Sequence, residues 1–318
     1  MRWLKLGKIF DPTEHRLPNA CVQFAQSPQA VVFDEFVRIY FSTRAADTNG
    51  KFLSHVAFVD MLKNLRDIIR VSDHTVIPLG GLGCFDEHGI FPMNVLHVGN
   101  VVYGYTCGWN RRVSVSVDTA IGLAVSRDGG WTFERIGEGP VLAQSLREPC
   151  LVGDGFVKQI GDIFHMWYIF GTGWMRYAPE AAPDRTYKIG HAVSNDGIQW
   201  QKEEARRIIP DRLGPDESQA LPTVIRIDSR YHMFFCYRQS FDFRVTAGRG
   251  YRIGHAWSDD LLNWTRDDDD PLLDIEPGTW DSDMQCYPHV FDCDGRVYML
   301  YNGNHFGREG FGLAMLET

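Results

Sequence analysis

The sequence predicts an all-β fold, a five-bladed β-propeller of four-stranded antiparallel blades, and three observations carry that prediction. A short unit recurs five times along the 318 residues, every copy has the same internal order of strands and turns, and the N-terminal segment supplies the strand that the last copy lacks. The unit is clearest in Ile121-Gly122-Leu123-Ala124-Val125-Ser126-Arg127-Asp128-Gly129-Gly130-Trp131. It returns as Ile189-Gly190-His191-Ala192-Val193-Ser194-Asn195-Asp196-Gly197, closed by Trp200, and as Ile253-Gly254-His255-Ala256-Trp257-Ser258-Asp259-Asp260, closed by Trp264. Degenerate copies lie at Leu53-Ser54-His55-Val56-Ala57 and Phe311-Gly312-Leu313-Ala314. Taking Ser54, Gly122, Gly190, Gly254 and Gly312 as equivalent gives intervals of 68, 68, 64 and 58 residues.

Within each unit a Pro-containing apolar run comes first, then a turn, then an aromatic-rich run such as Tyr103-Gly104-Tyr105 or His232-Met233-Phe234-Phe235. The Gly-x-Ala strand follows, with an Asp-containing turn and a last short strand after it. β-Branched and aromatic runs punctuated by Gly, Asp and Asn read as strands and tight turns, four to a unit. The expected organisation is one domain, 1–318, with blades at about 21–80, 86–143, 147–210, 216–274 and 281–318 plus 2–10. The fifth unit stops after three strands, and Trp3 to Phe10 has the pattern of a fourth, so the N-terminus is expected to pair beside residues 311–317 and close the ring. The stretch from Ser126 to Phe133 resembles the Asp-box turn of sialidases, which makes Asp128, Asp196 and Asp259 expected structural residues.

Composition narrows the function. With 44% hydrophobic and 13% aromatic residues the chain can bury a large core. Its 32 basic against 41 acidic side chains give a net charge of −9, without the basic run that binding to phosphate backbones requires. No apolar stretch approaches the ~18 residues of a membrane span, and the charged start Met1-Arg2-Trp3-Leu4-Lys5 does not read as a signal peptide. Nucleic acid and membranes are therefore not expected partners. Seven cysteines with no Cys-x-x-Cys pair suggest reduced thiols and the cytosol.

Innermost propeller strands face a central funnel, so the chemistry is expected where those strands begin. Those starts are rich in acids: Asp86-Glu87-His88 before Pro92, Arg147-Glu148 before Pro149, Asp216-Glu217 before Pro222, and Asp281-Ser282-Asp283 before Pro288. Glu148, one residue ahead of a proline and an apolar run, is expected to aim into the funnel. Arg238 and Arg249 are expected near the rim, and Trp109, Trp174 and Tyr177 on equivalent loops. His191 and His255 are expected in the core.

With this blade count and Gly-x-Ala repeat, the sequence resembles the five-bladed β-propeller glycosidases, which include arabinanases, xylosidases, invertases, levansucrases and mannoside phosphorylases. The resemblance implies a carbohydrate-active enzyme, a hydrolase or transferase of glycosidic bonds acting on an oligosaccharide or glycoside. In the hydrolases of that group a carboxylate opens blade one, an Asp-Pro opens blade two, and a Glu opens blade three as general acid, the place that Glu148 resembles. Two positions depart from the pattern. Gln26-Ser27-Pro28 stands in blade one and Ile90-Phe91-Pro92 in blade two, so a second carboxylate must come from Glu87, Glu217 or Asp283. The expected binding set is Arg147, Arg238, Arg249, His88, Trp109, Trp174 and Ser27. The resemblance also implies His289 as ligand of a structural metal ion in the central channel, and no other cofactor. Two alternatives stay open: a phosphorylase, in which phosphate held by arginines replaces activated water, and a glycan-binding propeller without turnover.

Overall fold

Each repeat unit folds into four antiparallel strands in the computed structural model, which describes residues 1–317, the first two units being joined by a single parallel pair, Ser54 with Gly89. After β1 (Trp3–Phe10), the first blade holds β2 (Gln23–Val32), β3 (Phe36–Ala46), β4 (Phe52–Leu62) and β5 (Ile68–Val71). The second holds β6 (Gly89–Val98), β7 (Val101–Arg111), β8 (Val117–Ser126) and β9 (Glu134–Arg135). The third holds β10 (Val152–Ile160), β11 (Ile163–Met175), β12 (Asp184–Ser194) and β13 (Gln201–Lys202). The fourth holds β14 (Glu217–Ile227), β15 (Arg230–Gln239), β16 (Arg252–Ser258) and β17 (Thr265–Arg266). The fifth holds β18 (Cys286–Cys293), β19 (Arg296–Asn302) and β20 (Phe311–Leu316), with β1 as its outer strand. The N-terminal closure is as expected: β1 runs antiparallel to β20, from Trp3 opposite Leu316 to Phe10 opposite Phe311.

The innermost strands β2, β6, β10, β14 and β18 touch in that cyclic order, with β18 returning to β2. Five apolar clusters fill the seams between successive blades, the last joining Phe10, Phe41 and Ala57 to Leu300, Phe311 and Leu313 across the closure. Fully burying one such large apolar side chain stabilises by about 1.5–3 kcal/mol, so these seams hold the ring together. The blade edges are pinned by the acidic turns. Asp128 accepts from the amides of Trp131 and Thr132, and Asp196 from those of Ile198 and Gln199. In the third copy that residue is Asp260, not Asp259, which instead faces Arg230 on the surface. The turns also brace the neighbouring blade: Tyr40 donates to the Gly130 carbonyl, and Tyr105 to that of Gly197. Gly197, with φ of 74°, packs so closely on Tyr105 that a Cβ would meet its hydroxyl at 2.7 Å. His191 and His255 lie in the blades, each within 3.0 Å of a second imidazole, His165 or His232.

One irregularity recurs where it positions the site. Every innermost strand slips register at the same place: between Gln26 and Gln29, Ile90 and Met93, Gly153 and Phe156, Ala220 and Thr223, and Cys286 and His289. In four of the five the bulged residue is in the left-handed region, with φ of 52° at Ser27, 51° at Asp154, 48° at Leu221 and 59° at Tyr287. A bulge bends the strand and re-aims a side chain, and left-handed backbone at a non-glycine costs about 1–3 kcal/mol. Asp154 is the acid among these equivalent positions.

Candidate active site

A cavity of about 560 Å³ opens where the innermost strands begin, lined by residues of all five blades. Blade one contributes Phe24, Gln26, Arg44, Phe52 and Ser54, and blade two Phe91, Cys107, Trp109, Val117 and Thr119. Leu151, Asp154, Ile169, Arg185 and Tyr187 come from blade three, and Arg238, Phe243, Arg244 and Tyr251 from blade four. Tyr287, His305, Phe306 and Arg308 complete the wall. Five of these residues are arginines, and among the described lining residues Asp154 is the lone carboxylate.

Burial pushes the Asp154 carboxyl up to about 7, against the opposing pull of the Leu221 amide, the Arg185 charge and the Cys107 thiol. A carboxyl with that affinity keeps its proton near neutrality, as a general acid must. Also on the wall, Arg238 is 1% exposed and donates to the carbonyls of Gln239 and Ser240 and, at 2.9 Å, to the Tyr187 hydroxyl. Tyr187 and Tyr251 are joined through their hydroxyls, and the Arg238 guanidinium lies 3.6 Å from the Phe243 ring centre. Trp109 and Phe91 supply flat apolar surface to the cavity wall, the kind of surface on which a sugar ring stacks.

The four acids expected to meet in the funnel do not meet. Glu148 is fully buried away from the cavity wall, 2.6 Å from Lys202, and accepts from the Tyr168 hydroxyl and the Ala205 amide. Glu217 is likewise buried, 2.7 Å from Arg266, and takes the amides of Arg212 and Leu213. Asp86 with Arg135 and Asp281 with Lys5 repeat the arrangement. In all four blades an acid just before or at the start of the innermost strand grips a cation on the outermost strand of the same blade, so these residues clasp the blade rather than face the funnel. The strand after Glu148 begins at Val152, later than its proline implied, which is why the residue stops short. Glu87 and Asp283 do not line the cavity either. Glu87 accepts from the Gly83 amide, and Asp283 is exposed.

Of the expected binding residues, Arg238 and Trp109 line the cavity. His88 stacks behind Trp109, and Trp174 lies under the Arg185 guanidinium at 5.2 Å. Ser27 is buried beside the lining residue Gln26, with its amide donating to Asn302. Arg147 is exposed off the wall, and Arg249 faces Asp242 at 3.7 Å. His289 is 4% exposed, both its ring nitrogens lack a hydrogen-bond partner, and Phe156 and Phe291 flank it. Burial lowers it to about 4. No group of three or more His, Cys, Asp or Glu able to hold a metal occurs among the described residues, so one imidazole between phenyl rings does not make the expected metal site.

A ring of four-stranded antiparallel blades around a central funnel defines the class: this is the fold of propeller glycoside hydrolases and mannoside phosphorylases. A solved glycoside hydrolase superposes with a TM-score of 0.76 at 17% identity, covering 99% of this chain and 92% of that one. A structure described under the GH130 family of mannoside phosphorylases, containing glycoside hydrolases that target β-1,2 mannosidic linkages in Candida mannan, gives 0.72 at 12% identity, with 99% and 93% covered. No protein-family model matches the chain. It is 35% identical over 324 aligned positions, 100% of both chains, to the uncharacterized protein Rv1502 of Mycobacterium tuberculosis (strain ATCC 25618 / H37Rv). The chain belongs to the family of that protein. A shorter stretch, 113 residues covering 33% of this chain and 34% of the other, is 31% identical to β-1,2-mannobiose phosphorylase of Thermoanaerobacter sp. (strain X514).

Proposed function

We propose that the protein is a glycoside phosphorylase, one domain over 1–318 with a single funnel in which Asp154 is the general acid and inorganic phosphate the nucleophile. The observation that carries this reading is the make-up of the cavity wall: one carboxylate, protonated near neutrality, among five guanidiniums. A hydrolase of this kind needs a second acid to activate water or attack the sugar, whereas phosphate arrives already anionic and needs forked cationic donors. Asp154 gives its proton to the glycosidic oxygen as the bond to the anomeric carbon breaks. A phosphate oxygen forms the new bond from the opposite face, and the proton that phosphate carried returns through solvent to Asp154. The products are a sugar 1-phosphate and a free hydroxyl. The stretch shared with a mannobiose phosphorylase supports the same chemistry.

Seven unpaired thiols fit a reducing compartment, and we place the enzyme in the cytosol. No helix of the described residues is long and apolar enough to cross a membrane. The test is a panel of aryl glycosides and oligosaccharides incubated with and without phosphate. Release of sugar 1-phosphate that requires phosphate supports the reading. Equal release of free sugar in both conditions means hydrolysis, and binding without release means a lectin-like propeller.

A further inference from the structure

The funnel holds more positive charge than one phosphate neutralises. Elsewhere in the molecule buried arginines sit against carboxylates: Arg38 on Asp60 at 2.7 Å, Arg266 on Glu217 at 2.7 Å, and Arg135 on Asp86. The funnel arginines do so only in the long pair of Arg244 with Asp184. Arg238 is spent on carbonyls and a tyrosine, and Arg308 on Gln23. Arg185 reaches the Ser116 hydroxyl at 3.5 Å, and Arg244 comes no nearer than 3.8 Å to Asp184. Arg185, Arg238 and Arg244 lie on blades three and four, near enough that the first two charges weaken the third. On the phosphorylase reading these three hold the phosphate dianion, Arg238 through the Nε that its other hydrogen bonds leave free.

Arg44 is left over. It projects from β3 on blade one, flanked by Phe24 and Phe52 with ring centres 4.6 and 5.5 Å from its guanidinium carbon. Among the described residues it makes no ion pair, its Nε is buried without a hydrogen-bond partner, and burial together with the Arg244 charge disfavours it as a cation. The Nε of Arg238, on a residue almost wholly buried, is also unpartnered. Desolvating a guanidinium without a counter-charge is unfavourable, and a ligand anion relieves that cost when it binds.

We propose that Arg44 forms a second anion subsite, for an oxyanion carried by the glycan itself, so that the substrate is an acidic sugar bearing a carboxylate or a phosphate ester. The inference rests on the phosphorylase reading for the claim that the other arginines serve inorganic phosphate. Phe24 and Phe52 hold the guanidinium plane, and a planar fork suits a carboxylate or phosphate better than a neutral hydroxyl.

The test is calorimetric titration of the whole protein with the methyl glycosides of glucose, galactose and mannose, their uronic acids and their 6-phosphates, each with and without saturating inorganic phosphate. At least one acidic glycoside is expected to bind roughly tenfold or more tighter than its neutral parent while phosphate is bound, as a charge-assisted hydrogen bond provides. The uronate and 6-phosphate arms tell which oxyanion is taken. Arg44→Met should abolish that preference while inorganic phosphate still binds at Arg185, Arg238 and Arg244. Should that variant fold poorly, Arg44→Lys keeps the charge without the fork and is expected to lose most of the preference at wild-type Tm. Neutral parents binding as tightly as every acidic counterpart would overturn the proposal, as would acidic sugars that simply displace phosphate. Loss of phosphate binding with the acidic preference intact would instead sink the phosphorylase reading and leave the subsite standing.

Discussion

Glu148 and Lys202 meet at 2.6 Å in a site where the Glu148 side chain is wholly out of contact with solvent and the Lys202 side chain is 10% exposed. One comes from the segment that leads into the third blade and the other from its outermost strand, so the pair spans the blade. Tyr168 and the Ala205 amide occupy the Oε1 atom that Lys202 leaves free. The carboxylate lies off the cavity wall with three donors on its two oxygens, and its place in the ring is matched by Asp86, Glu217 and Asp281.

Glu148→Gln should therefore destabilise the protein rather than disable it. Removing one partner of a buried ion pair leaves the other charge stranded, at about 3–5 kcal/mol. Urea unfolding should show that loss, while kcat of the folded fraction stays within about threefold of wild type, well short of a general acid's contribution. Adding Lys202→Met should recover part of the stability. A large fall in kcat at unchanged stability would return Glu148 to the chemistry.

Asp154→Asn should do the reverse. General acid catalysis is worth roughly 10²–10⁴-fold, so turnover of a natural glycoside should fall by that much and turnover of an activated aryl glycoside far less. Stability should move the other way. The folded carboxyl titrates near 7 and the unfolded one at 3.8, so between those values the folded chain keeps a proton that the unfolded chain has released. Stability thus declines as pH rises through that window, and the whole penalty is present above it. The amide variant should have a higher Tm than wild type at pH 8 and an equal one at pH 4, read by scanning calorimetry.

The same titration sets the pH–rate profile. With the acid form required, kcat/KM should be level below about 7 and fall by about tenfold per pH unit above it. Since dianionic phosphate beside Asp154 favours the neutral carboxyl, the fall in kcat should begin at higher pH than the fall in kcat/KM. A profile that rises through pH 7 would mean that the ionised carboxylate is the working form.

The repeat, the blade order and the N-terminal closure were legible in the chain because each depends on local rules: alternation in strands, Asp and Gly in turns, an aromatic residue opening the outer strand. Asp154 was not legible, for a physical reason. The bulge that points a side chain into the funnel carries Ser27-Pro28, Leu221-Pro222 and Tyr287-Pro288 in three blades but Asp154-Gly155 in the third. Matching prolines set Glu148-Pro149 against them instead, six residues early. The shared signal was the left-handed bulge, and Gly153-Asp154-Gly155 marks it in the sequence only as two glycines around an acid. Arg44, Arg185 and Arg244 come from separate blades, and no spacing along the chain announces that they converge.

Buried imidazoles make the ring sensitive to acid. His191, His232 and His289 are each lowered to about 4 by burial, with neighbouring cations or imidazoles adding to the effect. Between the ordinary value of 6.5 and 4 the unfolded chain binds protons that the folded chain refuses, so stability present above pH 6.5 is lost as pH falls through that range. A titration displaced by one pH unit on folding corresponds to about 1.4 kcal/mol. His289→Phe, placed between Phe156 and Phe291, should remove one of these increments. Its Tm should fall less than that of wild type from pH 7 to pH 4.5, and an unchanged difference would mean that His289 takes up its proton in the folded protein.

Deleting residues 1–10 tests the closure. The cut removes β1, and with it Trp3, 5% exposed and edge-on to Phe234 at 5.4 Å, and Lys5, the cation of the Asp281 clasp. It also strips the outer partner from β20, leaving an open strand edge of Phe311-Gly312-Leu313-Ala314 that is competent to pair with another chain. Two single substitutions divide the effect. Trp3→Ala removes packing, at about 3–5 kcal/mol for a large aromatic side chain, and keeps the edge covered. Lys5→Met strands Asp281 and likewise keeps the edge covered. If the closing strand guards the edge, both point variants should elute as wild type on size exclusion with a lower Tm, and only the truncated protein should form higher-order species. A truncated protein that elutes as wild type with unchanged Tm would show that the fifth blade stands without its fourth strand.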